Sequence, residues 1–358
     1  MKELLRTLFE TDKIIFNYEK NKWQWDKSIY EDKTVAENVL DHLRQKIQSL
    51  SLSTQETLKV ATCLGRYFSL SLLNKLINNK DGVNEAVSSG MIIHHKENDT
   101  YCFAHDQVQL ASKSLLPEDS SSIYIHIARK LLKDLPKDKV TDNICLVAHL
   151  FSVGKQLIKD DERLRVAELF QVAGENELES TYFDDAFKYL TTGVELMGSE
   201  GWEKEYALTL KLHCAAVKAS YCTAKYNVMK DLIEKTISKA KILMDAIPAY
   251  SMLVQYHSFK KEFKDAINTG IDVLNRLGEN ISVTCNDSMA ELEFHKARNL
   301  VGTYFEEILN LKELESKVML KVMEFLNSII YSSYITDRRL FCIIVCKCMC
   351  MILLNTLN

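Results

Sequence analysis

Proline and glycine are scarce, at 3 and 11 of 358 residues. These are the residues that break helices and build tight turns. Their scarcity argues against many short strands and for long helices joined by short connections. No glycine-rich phosphate loop is present either. Gly65, Gly82, Gly90, Gly154 and Gly174 stand singly, as helix stops or helix-interior positions, and none belongs to a GxxxxGKS/T or GxGxxG pattern. Without that cradle of backbone N–H groups, this chain alone is not expected to act as an ATPase. The longest apolar run, Leu340 to Leu354, contains Lys347 and falls short of the roughly 20 residues a bilayer-crossing helix needs. No membrane span is expected. An excess of one charge is missing too: the net charge of -4 gives no general attraction to nucleic acid or an anionic membrane.

What remains is the composition of a soluble globular protein, 47% apolar and 26% charged. The 10 cysteines are expected as reduced thiols in the cytoplasm, because Met1-Lys2-Glu3-Leu4-Leu5-Arg6 opens an amphipathic helix rather than a secretory leader.

Along the chain, Leu4, Leu5, Leu8 and Phe9 mark the end of a helix. Ile14, Phe16 and Tyr18, then Trp23 and Trp25, alternate across a polar turn, which predicts a β-hairpin with both tryptophans on one face. Two readings stand for Trp23 and Trp25: a plug against a neighbouring domain, which makes them an interface, or a stacking platform for bases or sugars. Thr34 is placed to cap a helix carrying Val35, Val39, Leu43 and Ile47. A winged helix follows. Its helices run over about 54–64, from Ser69 to Ile77, and over about 83–89, stopping at Gly90. Met91–His95 and Tyr101–Phe103 then pair as the wing. DNA binding is not expected from it. Between Ser51 and Leu116 the basic and acidic residues balance, and the short helix that would enter a groove has no Lys or Arg.

From Asp119 onward only helix periodicities appear: a helix ended by Pro136, another by Gly154, and a third over about 160–180. A recurrence then shows. Phe183, Tyr226 and Phe263 are followed three positions on by Ala186, Met229 and Ala266, seven on by Leu190, Ile233 and Gly270, and eleven on by Val194, Ile237 and Leu274. Each line opens the second helix of a pair. An aromatic at a helix start with a small residue one turn later is the mark of tetratricopeptide-like arrays, here in degenerate form, which stack into a solenoid with a partner-binding face. Helices over about 287–310, 313–331 and 338–355 continue it. The last is apolar nearly all round and has no polar cap, so the array is expected to continue beyond residue 358.

Few residues point to chemistry. Cys342, Cys346 and Cys350 share a helix face while Cys348 does not, which suits packing better than a metal cluster gathered by a turn. His94 and His95 are expected at a strand end on opposite faces, and His149 and His213 inside helices. His105-Asp106, at a strand-to-helix junction, keeps two readings: a helix cap, or an imidazole facing a phosphate on an adjoining domain. No catalytic or metal site is predicted.

Three segments carry a family resemblance: Leu5–Asp26 (LRTLFETDKIIFNYEKNKWQWD), Ser53–Leu70 (STQETLKVATCLGRYFSL) and Tyr101–Pro117 (YCFAHDQVQLASKSLLP). They resemble the region downstream of the P-loop domain in STAND-type signalling ATPases, the AAA-like proteins fused to serine/threonine kinase and sensor histidine kinase modules. The likeness continues through His149-Leu150, Gly154, Ala173-Gly174 and Phe187–Gly193, covering about 1–280 well and the tail weakly. It departs at Gln107 and Leu110, where the family usually has arginine and a second glutamine. The FAHD segment is also similar to the MHD motif of apoptotic and plant-resistance STAND proteins. That similarity implies a nucleotide-sensing role for His105, through the β-phosphate of ADP, with Asp106 fixing the loop. ADP or ATP is thus implied only for a P-loop domain outside this chain, which itself needs no cofactor.

The expected protein is mainly α: the end of an ATPase core or linker with a hairpin (1–50), a winged helix (51–118), and a tetratricopeptide-like superhelix (119–358). Its expected role is non-catalytic. Protein partners would bind the superhelix, and the winged helix would couple that event to an upstream P-loop domain. The alternative is a free-standing scaffold with no nucleotide link.

Overall fold

The computed structural model describes Phe9 and residues 14–25, 33–77, 81–97, 99–306 and 315–356. The helix expected over 1–10 lies outside these apart from Phe9, as do the side chains of Thr34, Val35 and Val39, and Ile308. Two compact units divide the chain, residues 1–162 and 163–358.

In the first unit, β1 (Ile14–Asn17) and β2 (Lys22–Trp25) form an antiparallel hairpin with Phe16 opposite Trp23 and Ile14 opposite Trp25. The turn places Asn21 at φ 48, a conformation asparagine tolerates. Helix α1 (Lys33–Gln48) buries Leu43 and Ile47. Then come α2 (Leu52–Leu64), β3 (Tyr67–Ser69), α3 (Leu70–Leu76), α4 (Asp81–Ser88), β4 (Ile92–His95) and β5 (Thr100–Phe103). The strands pair antiparallel in the order β3-β5-β4, with β3 coming between α2 and α3 in the chain. β3, too short to show an alternation, is absent from the sequence pattern; its pairing with β5 creates it. Ser51 and Ser69 cap α2 and α3 through their hydroxyls. The Glu85 carboxylate of α4 takes hydrogen bonds from Ser51 and Thr54, which ties α4 to the start of α2. Those donors hold Glu85 below the usual carboxylate range. At Gly82 a side chain would collide with the Ser53 carbonyl, so the two helices cross at backbone distance.

Helix α5 (Asp106–Lys113) follows the wing, and α6 (Ser121–Asp134), α7 (Lys137–Asp142) and α8 (Ile144–Val153) complete the unit. Its core includes Leu58, Leu73, Met91, Ile92, Phe103, Leu131 and Phe151, each at most 2% exposed. A clasp closes it. Arg129 donates to both carboxylate oxygens of Glu162 (3.1 and 2.6 Å) and to the Leu157 carbonyl (2.8 Å).

The second unit is helical throughout its described residues. Three helix pairs come first: α9 (Arg163–Glu179) with α10 (Phe183–Met197); α12 (Tyr206–Cys222), after the short α11 (Gly201–Lys204), with α13 (Tyr226–Lys239); and α14 (Leu243–Phe259) with α15 (Phe263–Arg276). Helix α16 (Asp287–Thr303) precedes a fourth pair, α17 (Lys317–Thr336) and α18 (Arg338–Thr356). First helices adjoin in the order α9, α12, α14, α17.

The recurrence read at Phe183, Tyr226 and Phe263 has a backbone counterpart. Thr181, Ala224 and Lys261, each two residues before the aromatic, stand at φ 65, 57 and 62. The next residue then donates its N–H five residues back, Tyr182 to Glu177, Lys225 to Ser220 and Glu262 to His257, at 2.9, 2.9 and 2.8 Å. This is the Schellman closure of a helix end, repeated three times with no glycine. Between α17 and α18 the turn is made otherwise: Asp337 is extended at φ -151, and its carboxylate accepts from the Arg339 N–H at 2.9 Å.

Between pairs, the Lys225 ammonium lies 3.7 Å over the Phe187 ring, and that of Lys260 lies 5.0 Å over Tyr226. Gly174 lets α9 approach Leu190 of α10, and Gly270 lets α15 approach Ile329 of α17, closer than a Cβ would allow. Two hydrophobic cores result. One gathers Leu190, Leu212, Val217 and Ile233, the other Ile271, Leu274, Phe325, Leu326 and Ile344. Helix α14 belongs to both, giving Ala249 and Tyr256 to the first and Ile247 and Val254 to the second.

Candidate functional site

The junction at His105 is rigid below and open above. β5 buries Tyr101, Cys102 and Phe103, and the Ala104 N–H donates to the Met91 carbonyl at 2.9 Å. The chain stays extended at His105 (φ -155, ψ 153), then turns into α5, which is anchored by buried Val108, Ala111 and Ser112. His105 Nδ1 accepts the Gln107 N–H at 3.1 Å, so it is the N-cap of α5. An accepting Nδ1 carries no proton, which leaves the neutral ring's hydrogen on Nε2 as a donor. No partner for Nε2 is present among the described residues. Asp106 begins the helix, where its charge suits the helix dipole, and it pairs with Arg66 Nη1 at 2.8 Å. The junction thus displays an imidazole N–H donor, a guanidinium and a carboxylate.

Further along α5, Gln109 and Lys113 line a cavity of about 410 Å³ with Thr62, Cys63, Tyr124 and His149. Burial pushes the Cys63 thiol up to about 11. Burial, with the neighbouring thiol, pushes the Tyr124 phenol up to about 12. Both groups stay protonated near neutrality, so this pair supplies no nucleophile.

Trp23 and Trp25 share the hairpin face with Phe16; Trp23 packs edge-on to Phe16 at 5.3 Å and to Phe9 at 6.0 Å. Both tryptophans are more than half exposed, at 51% and 56%. Three other histidines have local partners. His94 bonds Asp99 at 2.9 Å and stacks on Tyr101, His95 lies 3.2 Å from the Cys102 sulfur, and His213 meets the Thr209 carbonyl at 2.8 Å.

All ten cysteines are free thiols. Cys342 and Cys346 Sγ lie 4.0 Å apart on one face of α18, while Cys348 packs against the hydrophobic core. Burial first, then neighbouring thiols, pushes Cys346 up to about 12; burial raises Cys348 to about 11. Such thiols resist giving the thiolate that a metal needs. Among the described residues, His257, Glu262 and Asp265 form the one group of three metal-type donors within mutual reach. His257 Nδ1 and Glu262 Oε2 are already paired at 2.7 Å. Lys260, Lys261 and Lys264 stand beside them in sequence, and the positive end of α15 opposes a cation there.

One feature had no counterpart in the sequence reading. A cleft of about 430 Å³ opens across α12, α14 and α17, lined by Tyr221, Ser251, Gln255, Ser258, Phe259, Glu324, Asn327 and Ser328. Its signal was the polar spacing on otherwise apolar helices, Ser251-Gln255-Ser258 and Glu324-Asn327-Ser328. Each set lies along one helix face.

No helix among the described residues is long and apolar enough to cross a membrane. No family model matches the chain. The chain is 21% identical, over 86% of its length, to hybrid signal transduction histidine kinase G of Dictyostelium discoideum, and spans 11% of that relative. Among solved structures, it is similar to a STAND protein (signal transduction ATPase with numerous domains) with a tetratricopeptide repeat sensor from Pyrococcus horikoshii. That match has 14% identity, covers 87% of this chain and 53% of the other, and has a TM-score of 0.29.

Proposed function

We propose that this chain is the regulatory, protein-binding portion of a STAND-type signalling ATPase. In this reading the helical array receives a protein partner, and the winged-helix unit passes that event to the nucleotide state of an upstream P-loop domain. The chain itself does no chemistry and works in the cytoplasm. The observation that carries the reading is His105: an exposed imidazole at a strand-to-helix junction anchored by buried neighbours, its Nδ1 engaged by the Gln107 N–H. A fixed N–H donor with a guanidinium nearby is suited to a phosphate oxygen. The array that follows in the chain supports an interaction role, and the histidine kinase relative supports signalling as its setting. Trp23 and Trp25 are then the hairpin's contact to a neighbouring domain.

A second reading keeps the array as a free-standing scaffold. The local cap at His105 favours it, because the imidazole already has a structural task there. His105→Asn separates the two, since asparagine caps as well as histidine or better but presents no ring. In the longest natural protein that contains this chain, His105→Asn is expected to shorten retention of bound ADP, measured as release of a fluorescent analogue, without lowering thermal stability. Retention equal to wild type would remove His105 from nucleotide sensing. A natural reading frame with no GxxxxGKS/T segment upstream would favour the scaffold.

A further inference from the structure

We propose that the cleft across α12, α14 and α17 binds an extended peptide segment through a lysine or arginine side chain. The proposal rests on the reading of the array as a protein-binding element and names what it binds.

Three successive first helices supply the walls, so the site exists only when the pairs are stacked. Its volume, about 430 Å³, suits a side chain with its flanking peptide bonds rather than a folded domain. Gln255 and Asn327 stand exposed on facing helices. A carboxamide offers a donor and an acceptor together, the pattern a peptide bond presents in return. The lining holds no Lys, Arg or His, and its one formal charge is the Glu324 carboxylate.

That carboxylate is held in place. Ser251, only 7% exposed, donates to Glu324 Oε1 at 2.9 Å. The other oxygen, Oε2, meets the Lys321 ammonium at 2.5 Å. This i,i+3 pair is exposed at both ends, 38% and 43%, so it contributes little to stability. An incoming cation can exchange with Lys321 and leave no buried charge unpaired. On the lining helices, Lys218 lies three residues from Tyr221 and Lys321 three residues from Glu324. Against the same space stand two rings, Tyr221 and Phe259, edge to face at 6.4 Å. Phe259 is 59% exposed, so much of its ring is open to a ligand. A ring face beside a carboxylate takes the stem and head of a long cationic side chain.

The probe is a phage-displayed library of random peptides panned on the full 358-residue chain. Recovered sequences are expected to be rich in Lys and Arg. Synthetic copies are expected to lose about tenfold in affinity against Glu324→Gln, which keeps the shape and the Ser251 bond but not the charge, and against Phe259→Ala. Glu291→Gln on α16 should bind as wild type does. Peptides without a cationic residue would overturn the ligand class. Cationic peptides that bind all three variants equally would overturn the cleft and leave the proposed function intact, with partners received elsewhere on the array. Recovery of no peptide would also overturn the cleft, while the ADP-retention measurement at His105 still decides the proposed function.

Discussion

Helices α2, α3 and α5 of the first unit start on side chains: Ser51, Ser69 and His105 each accept a backbone N–H from two or three residues on. Helices α10, α13 and α15 of the array start without any side-chain cap. There the preceding backbone does the work, through a left-handed residue and a long return hydrogen bond repeated three times. At these helix starts the first region relies on individual capping side chains, the second on a conformation that tolerates threonine, alanine or lysine. Further along the array side-chain caps return: Asn286 and Ser316 accept from the Met289 and Met319 N–H groups at the starts of α16 and α17.

Substitutions in both regions sharpen or break this contrast. The largest effect is expected from Phe325→Ala in the array, where the ring is fully buried: a loss of about 3–5 kcal/mol in chemical denaturation. Gly270→Ala comes next, at about 1–3 kcal/mol, because the new methyl meets Ile329. Shortening that neighbour with Ile329→Ala should remove most of the collision, seen as a double mutant better than the sum of the singles.

Glu162→Gln tests the other region, at about 1–2 kcal/mol near neutral pH. The Arg129 hydrogen bonds, then the Lys159 N–H, hold the Glu162 carboxyl below its ordinary range. A depressed folded-state pKa stabilises the fold above the unfolded value, about 4.3, and that stabilisation fades as pH falls through the folded value. The gap between wild type and variant should accordingly close below about pH 4. The smallest effect is a gain. Thr181→Gly removes a β-branched residue from the left-handed region and should raise stability by roughly 1 kcal/mol. An equivalent change at Asp337, where the turn is extended and the side chain caps, should lose stability instead. A gain there would break the distinction between the two turn types.

Much of this architecture was legible because helices announce themselves by spacing. Leu58, Ala61 and Leu64, or Ala167, Phe170 and Ala173, lie one turn apart in the sequence and are buried together in the structure; Leu164, one turn earlier, is 40% exposed. The aromatic recurrence located three pairs correctly, since each aromatic follows the same turn. The fourth pair escaped it because Asp337 closes that turn by a different bond. Helix α14 begins at Leu243, earlier than its pattern suggests, with Pro248 in its interior obscuring the first turns. Strand β3 exists only through its partner β5. The same limit governs sites. His105 was visible because one residue at a chain junction is a local signal. Ser251 and Glu324 are 73 positions apart, and only the stacking of first helices makes them neighbours.

Helix α14 has a consequence for cooperativity. It is a wall of both hydrophobic cores in the array. A stack in which each repeat touched only its neighbours could lose an end pair and keep the rest. Here the two cores have a common member, so loosening either one costs the other its wall. The four pairs should accordingly exchange amide hydrogen as a single protected block, with α14 among the slowest segments.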